Sequence, residues 1–241
     1  MKVDFQMLGD EALLINFEQK IDIAINSQVH ALALSIEAKK IEGIVYITPA
    51  YCSLVVAFDK KRIGFEELKN QINLLVVIAA QSGFTPRKLY IPVCYHREFA
   101  LDMEEVMTQT QLLAADIVKK HTSQTFKTYM IGFLPGFPYL GKLPKELECV
   151  RKANPCLKIP KGAVGLAGLQ TGIYPQVSPG GWQIIGNTPI DLINPDKTHS
   201  YLFEAGDEVH FYSISKSKYK SIIEDQKNEN FNWENVYEQA N

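Results

Sequence analysis

Glycine and proline are concentrated in one stretch of the chain, and this concentration constrains the fold more than any other feature of the sequence. Ten of the fifteen glycines and seven of the twelve prolines lie between Gly132 and Gly186. Long helices are excluded here, because proline breaks a helix and glycine weakens one. The stretch is also too apolar and aromatic for a disordered linker. It therefore predicts short strands joined by tight turns, as in a β-barrel or a compact β-sandwich.

The chain before this stretch alternates between strand-like and helix-like segments. Apolar runs at 12–17, 44–48 and 53–58 predict strands, and residues 88–95 predict another. Apolar residues recur every three or four positions at 21–36 and 65–79, which predicts amphipathic helices. The resulting order, β-α-β-β-α-β, favours a ferredoxin-like domain, with another two-layer α+β sandwich as the alternative.

The remaining patterns complete a prediction of three segments in an α+β protein. Residues 102–121 show broken helical spacing, and residues 207–214 alternate as a closing strand does. The chain after Ser215 is charged and asparagine-rich, which predicts an appended helix or a loosely held tail. We therefore expect an N-terminal ferredoxin-like domain at 1–87, a β-barrel domain at 88–215 and a charged C-terminal extension at 216–241.

Composition excludes several classes of partner. The 25 Lys and Arg residues against 27 Asp and Glu residues leave no basic excess for nucleic acid. The most apolar run, at 72–80, is far too short for a membrane span, and the N-terminus has no secretory pattern. Four cysteines without a CxxC motif and five histidines without a metal-binding spacing predict neither a disulfide framework nor a metal site. We expect a cytoplasmic protein that binds neither nucleic acid nor membrane.

The run GFLPGFPYLGKLP at 132–144 places aromatic side chains on a rigid backbone. It could present Phe133, Phe137 and Tyr139 to a ligand or a partner. The alternative is a structural loop whose aromatic side chains close the end of a barrel.

The run PKGAVGLAGLQTGIYP at 160–175 superficially resembles a phosphate-binding loop. It has neither the GxxxxGK[ST] pattern nor the dinucleotide GxGxxG pattern. Backbone N–H groups around Gly162 and Gly165, with Lys161 alongside, could still hold an anion. Tight turns between barrel strands are the alternative.

Two further groups of residues are candidates for the site. Lys161, Gln170, Thr171 and Tyr174 are polar groups that could act on a substrate. In SPGGWQIIGNTP, at 178–189, Trp182 follows a tight turn and is either a core residue or a stacking surface. Residue patterns alone lead to a rigid, β-rich surface for a ligand or a partner.

The three runs together, in this order, closely resemble the PxpB family of 5-oxoprolinase subunits, which is also known through the histidine-kinase inhibitor KipI and as allophanate hydrolase subunit 1. The resemblance extends over about residues 8–215. It implies an N-terminal ferredoxin-like domain followed by a cyclophilin-like β-barrel of the carboxyltransferase C/D type. The family is also similar to half of the carboxyltransferase region of urea carboxylase.

The resemblance implies one component of a heteromeric complex rather than an enzyme that works alone. With a KipA-like (C-type) partner and the A-type component of 5-oxoprolinase, such a chain would convert the cyclic amide 5-oxo-L-proline to L-glutamate, with ATP as co-substrate. A lactam is a poor electrophile, and phosphorylation of its oxygen would create a leaving group. We assign this phosphorylation to the pair formed by this chain and its KipA-like partner as a hypothesis.

The residue patterns and the resemblance together give the candidate site residues. Lys161, Gln170, Thr171 and Tyr174 are expected as catalytic polar groups, and the substrate or partner is expected to contact Phe133, Phe137, Tyr139, Arg151, Gly162, Gly165 and Trp182. Cys156 and Ala163 depart from the family pattern, which usually has Arg and Ser there. Both changes remove polar contacts from the predicted anion site.

Two other functions agree with the same resemblance. The chain could be a binding module that inhibits a sensor histidine kinase, with its aromatic wall docked on the kinase helices. It could also be one component of an allophanate hydrolase or urea amidolyase type of enzyme.

Overall fold

The computed structural model describes residues 2–79, 86–193 and 201–237. The chain divides into two compact units, Met1–Pro86 and Arg87–Asn241, and each combines helices with a β-sheet. The predicted α+β class is therefore confirmed.

The first unit contains four strands and two helices: β1 (Asp4–Met7), β2 (Ala12–Asn16), α1 (Ile23–Lys39), β3 (Ile44–Pro49), β4 (Ser53–Phe58) and α2 (Phe65–Ala79). The strands form one antiparallel sheet in the order β1-β2-β4-β3. Alternate residues of the central strands, such as Leu13 and Val56, are buried in one core with Leu32 and Ile72 of the helices. This follows from the two-residue period of a strand against the apolar face of each helix.

The edge strand of this sheet differs from the sequence prediction. Residues 12–58 supply the predicted strand–helix–strand–strand order, but residues 88–95 do not join this sheet. The N-terminal strand β1 pairs with β2 instead, so the prediction that the segment at 88–95 completes a ferredoxin-like sheet is wrong.

The second unit is built on a seven-stranded sheet that curls into a half barrel, consistent with a cyclophilin-like fold. Its elements are β5 (Lys88–Val93), α3 (Met103–Thr110), α4 (Ala114–Thr122), β6 (Thr125–Ile131), β7 (Pro138–Gly141), β8 (Cys156–Ile159), β9 (Ala163–Ala167), β10 (Gln170–Ile173), β11 (Ser178–Gly180), β12 (Gln183–Asn187), β13 (Glu208–Ser213) and α5 (Lys216–Lys227). The large sheet has the order β12-β9-β10-β7-β6-β13-β5, and β8 pairs separately with β11.

The two edge strands of the large sheet meet at one end. Cys94, just after β5, and Asn187, at the end of β12, exchange two backbone hydrogen bonds of 2.8 and 3.1 Å. This contact brings the first and last strands of the sheet together and explains its curl.

Tight turns and short strands fill the glycine-rich stretch, as the sequence predicts. Its strands β7 to β12 have three to five residues each, and the described part of the stretch contains only one short 3₁₀ turn, Lys145–Leu147. After Ser215 the helix α5 forms, and its Ile222 is buried in the core of the second unit. None of the helices described is long and apolar enough to cross a membrane.

Candidate functional site

A cavity of about 320 Å³ opens in the second unit, between the glycine-rich loops and the strands beneath them. It is lined by Phe133, Phe137, Tyr139, Arg151, Ala167, Gly168, Gln170, Tyr174, Gly180 and Trp182. Most of these residues belong to the glycine-rich and aromatic runs of the sequence, which are far apart along the chain. The structure therefore brings three predicted segments to one site.

Strand β10 supplies the polar floor of the cavity through its alternation. Gln170 lines the cavity, and Tyr174, just beyond the strand, does so as well. Thr171 and Ile173 point the other way and are fully buried in the opposite core. The structure therefore separates Thr171 from the other polar residues with which the sequence grouped it.

The wall of the cavity is an aromatic cluster centred on Phe137. The rings of Tyr139, Tyr174 and Trp182 lie edge-on to it, at centroid distances of 4.9, 5.1 and 5.4 Å. Edge-to-face contacts of this kind favour a fixed arrangement of rings. Phe133, with 61% of its surface exposed, stands at the edge of the cluster in a left-handed backbone conformation, with φ of 66°. Phe137 is therefore almost fully buried at the centre of the cluster that lines the cavity, while Phe133 is open to solvent.

Two glycines allow the wall to pack this closely. A Cβ atom at Gly172 would lie 2.8 Å from the carbonyl oxygen of Pro138 and 2.9 Å from the ring of Phe137. A Cβ atom at Gly180 would overlap the hydroxyl oxygen of Tyr174. Neither approach is tolerable for a real side chain, so the cavity requires glycine at both positions.

Arg151 supplies the positive charge among the residues that line the cavity. Its side chain is exposed, and it has no ion-pair partner in the part of the chain that the structure describes. Its backbone neighbours are fixed, however. The carbonyl of Val150 accepts a hydrogen bond from the Gln183 side chain (3.1 Å), and the N–H of Lys152 donates to the carbonyl of Gly181 (2.7 Å). An exposed cationic side chain is thus presented from an anchored backbone.

Asp102 reinforces this segment and is a residue that sequence reasoning missed. Its carboxylate forms an ion pair with Lys152 (2.8 Å) and accepts the N–H of Ile184 (2.7 Å), next to the cavity wall. The backbone N–H of Asp102 donates in turn to the carbonyl of Ile184 (2.8 Å). The only local signal was its position just before a helix, which does not indicate contacts so distant in sequence.

The phenols of the cavity are protonated at neutral pH. Burial raises the pKa of Tyr174 to about 12, although a hydrogen bond with the Trp182 backbone and the charge of Arg151 act in the opposite direction. Burial also raises the pKa of Tyr139, again opposed by Arg151. These groups can therefore donate hydrogen bonds and do not act as bases near pH 7.

The predicted anion site around Lys161 has a different structure. Lys161 does not line the cavity, and its ammonium group forms an ion pair of 2.5 Å with Asp191. The N–H of Gly162 donates to the carbonyl of Tyr174 (2.7 Å), and a Cβ atom at Gly162 would overlap the carbonyl oxygen of Thr188. This geometry corresponds to the alternative of a tight turn between barrel strands.

Neither Gly165 nor Cys156 lines the cavity. Gly165 is in β9, where a Cβ atom would lie 3.0 Å from Cβ of Trp182. Cys156 packs against the aromatic cluster. The remaining lining residues, Ala167 and Gly168, have no chemical side chain that could have drawn attention to them in the sequence. No cluster of three or more potential metal ligands occurs among the residues described.

The fold and the cavity belong to a known class of domain. The sequence matches the carboxyltransferase domain, subdomains C and D, over residues 3–203, and the chain therefore belongs to this family.

Its relatives include the B-type subunit of 5-oxoprolinase from Bacillus subtilis, which is 39% identical over 236 residues, a match that covers 93% of this chain and 98% of that protein. The urea amidolyase of Lachancea kluyveri is 25% identical over 264 residues, which represent 95% of this chain and 14% of that protein. The predicted resemblance to the PxpB family is thus confirmed.

A solved structure agrees with the fold. The crystal structure of TTHA0988 is 29% identical to this chain, with a TM-score of 0.76, and the match covers 85% of this chain. This chain matches 40% of that longer chain.

Proposed function

We propose that this chain is the B-type subunit of a cytoplasmic, ATP-dependent 5-oxoprolinase, and that its cavity binds 5-oxo-L-proline. The observation that carries the proposal is the position of Arg151, a cation without an ion-pair partner among the described residues, at an aromatic cavity in a chain of this family. The name of the Bacillus subtilis relative supports the same activity.

The chemistry of the cavity suits this ligand. 5-Oxoproline has a carboxylate, a lactam group and a small apolar ring. The guanidinium group of Arg151 can pair with the carboxylate, since Arg matches the geometry of carboxylates. Tyr174 and Gln170 can hydrogen-bond the lactam, and the rings of Phe137 and Trp182 can contact the apolar carbons.

Ring opening requires activation of a stable amide. Transfer of the γ-phosphoryl group of ATP to the lactam oxygen would release ADP and make the lactam carbon a better electrophile. Attack by one water at this carbon would then break the C–N bond and leave γ-glutamyl phosphate, and a second water would release phosphate and glutamate. We propose that this chain performs its part of the reaction with a KipA-like partner and the A-type component, in what we call the three-component complex. The phosphorylation step belongs to this chain and its KipA-like partner in this scheme.

The finer fold assignment is part of the same proposal. The second unit is a cyclophilin-like barrel, and the first is a ferredoxin-like variant in which the N-terminal strand β1 takes the edge position. The sheet order β1-β2-β4-β3, with both helices packed on one core, supports this assignment.

Binding of 5-oxoproline to the three-component complex tests the assignment of the cavity. Replacement of Arg151 by Met should weaken binding at least about tenfold, because a charge-assisted hydrogen bond is lost. The control is Lys158→Met, which removes an exposed cation of β8 that does not line the cavity. Equal affinity of the Arg151→Met complex and the wild-type complex for 5-oxoproline would contradict the proposal. If the wild-type complex bound urea or allophanate more tightly than 5-oxoproline, the result would favour an amidolyase.

A further inference from the structure

A series of hydrogen-bonded polar side chains runs from the partly buried Tyr95 through the core of the second unit and ends beneath the cavity. The hydroxyl of Tyr95 lies 2.7 Å from Nδ1 of His121, and Nε2 of His121 lies 2.9 Å from Oγ1 of Thr171. The same Oγ1 lies 3.1 Å from the carbonyl oxygen of Gly165. His121 and Thr171 have no exposed surface, so water does not compete for the bonds that Thr171 makes with His121 and Gly165.

The hydrogen bond to the carbonyl of Gly165 fixes which group donates and which accepts in each of the other bonds. The carbonyl of Gly165 can only accept, so the hydroxyl of Thr171 donates to it. Thr171 must then accept from Nε2–H of His121, which leaves Nδ1 to accept from the hydroxyl of Tyr95. A single arrangement of protons satisfies the whole chain.

The surroundings of His121 keep this arrangement in place. The rings of Phe126 and Phe211 lie 5.3 and 4.6 Å from the imidazole, measured between ring centroids. Burial among them lowers the pKa of His121 to about 3, so the imidazole is neutral at physiological pH.

This series of hydrogen bonds ends directly under the cavity. Thr171 sits between Gln170 and Gly172 in β10, and Gln170 lines the cavity. Gly165 belongs to the neighbouring strand β9 and lies against Trp182 of the cavity wall. The hydrogen bonds thus connect α4, through His121, to the two strands beneath the site.

We propose that Thr171 and His121 are positioning residues, which fix β9 and β10 to one another and thereby set Gln170, Tyr174 and Trp182 for the ligand. In this role Thr171 acts without touching the substrate. The inference rests on the proposed function only in taking the cavity as the binding site for 5-oxoproline.

A pair of variants at Thr171 tests the proposal. Valine has the shape of threonine but no hydroxyl, whereas serine keeps the hydroxyl. In the three-component complex, Thr171→Val should raise the Kd for 5-oxoproline about tenfold, and Thr171→Ser should change it less than about twofold. In the isolated protein, the NMR signal of the Trp182 indole N–H should shift in the valine variant and keep its position in the serine variant. The sequence has two tryptophans, so Trp233→Phe assigns this signal.

A second pair of variants, at His121, tests which groups donate and which accept in this series of hydrogen bonds. The amide nitrogen of Gln extends about as far as Nε2 and can still donate to Thr171, while the amide of Asn reaches only the Nδ1 position. His121→Gln should therefore keep the Trp182 signal and the Kd closer to wild type than His121→Asn. This pair also decides the matter if Thr171→Val does not fold, as judged by circular dichroism.

Several outcomes would overturn the proposal. One is a Thr171→Val variant with an unchanged Trp182 signal and an unchanged Kd. Another is a shifted Trp182 signal with an unchanged Kd, because Thr171 would then have only a structural role. If the wild-type complex does not bind 5-oxoproline, the proposed function fails, and the Trp182 signal alone decides the inference.

Discussion

At the scale of single residues, the cavity combines a cation with neutral hydrogen-bond donors. Arg151 is the cation of the lining, and the raised pKa values keep Tyr139 and Tyr174 protonated at neutral pH. A site of this composition recognises a ligand by its shape, its negative charge and its acceptor atoms.

Replacement of Tyr174 by Phe should weaken 5-oxoproline binding about fivefold, since about 1 kcal/mol is lost with a neutral hydrogen bond. Because the pKa of Tyr174 is raised to about 12, the phenol keeps its proton as pH rises until it approaches that value. The wild-type affinity should therefore be constant from about pH 6 to about pH 9. Isothermal titration of the complex measures both effects, and an affinity that falls within this interval would contradict the account.

At the scale of elements, sequence patterns identified strands better than they identified sheets. The run at 88–95 was predicted as a strand, and it is one, because its local apolar pattern suffices. Its partner β13 lies more than a hundred residues away and pairs in parallel, which no local pattern could indicate. A second difference from the sequence prediction concerns Thr171, which was grouped with Gln170. The two side chains face opposite sides of β10, because side chains alternate along a strand.

At the start of the parallel pair β5–β13, the partly exposed Arg87 pairs with a buried carboxylate. Arg87 contacts Asp207 through two hydrogen bonds of 2.8 and 2.7 Å, and the Asp207 side chain is 3% exposed. Arg87→Leu should reduce the free energy of unfolding by about 3 kcal/mol, because it leaves a buried carboxylate without its partner. Urea unfolding followed by tryptophan fluorescence reports on this unit, which contains both tryptophans.

The control for this variant is Lys120→Met, which removes the more exposed pair with Glu146 and should cost less than about 1 kcal/mol. If the two variants lose equal stability, the ion pair of Arg87 does not have the role given to it here.

At the scale of the whole molecule, the site was predictable where glycine, proline and aromatic residues specify a backbone. Those motifs pointed to Phe137, Tyr174 and Trp182, which the curled sheet brings to one cavity. The contacts that support the site were not predictable, because Asp102 and His121 act through tertiary neighbours. The anion site expected near Lys161 was suggested by the spacing of its glycines, but the N–H of Gly162 donates to the carbonyl of Tyr174 and the N–H of Ala163 donates to the carbonyl of Pro160.

The most direct test of the account is glutamate release from 5-oxoproline and ATP by this chain combined with its KipA-like and A-type partners. We expect release that requires all three chains, the lactam and ATP, and that falls at least about tenfold with Arg151→Met but not with Lys158→Met. A verified complex that releases no glutamate and hydrolyses no ATP in response to 5-oxoproline would contradict the proposed function. That result would favour inhibition of a sensor histidine kinase, or another amide substrate.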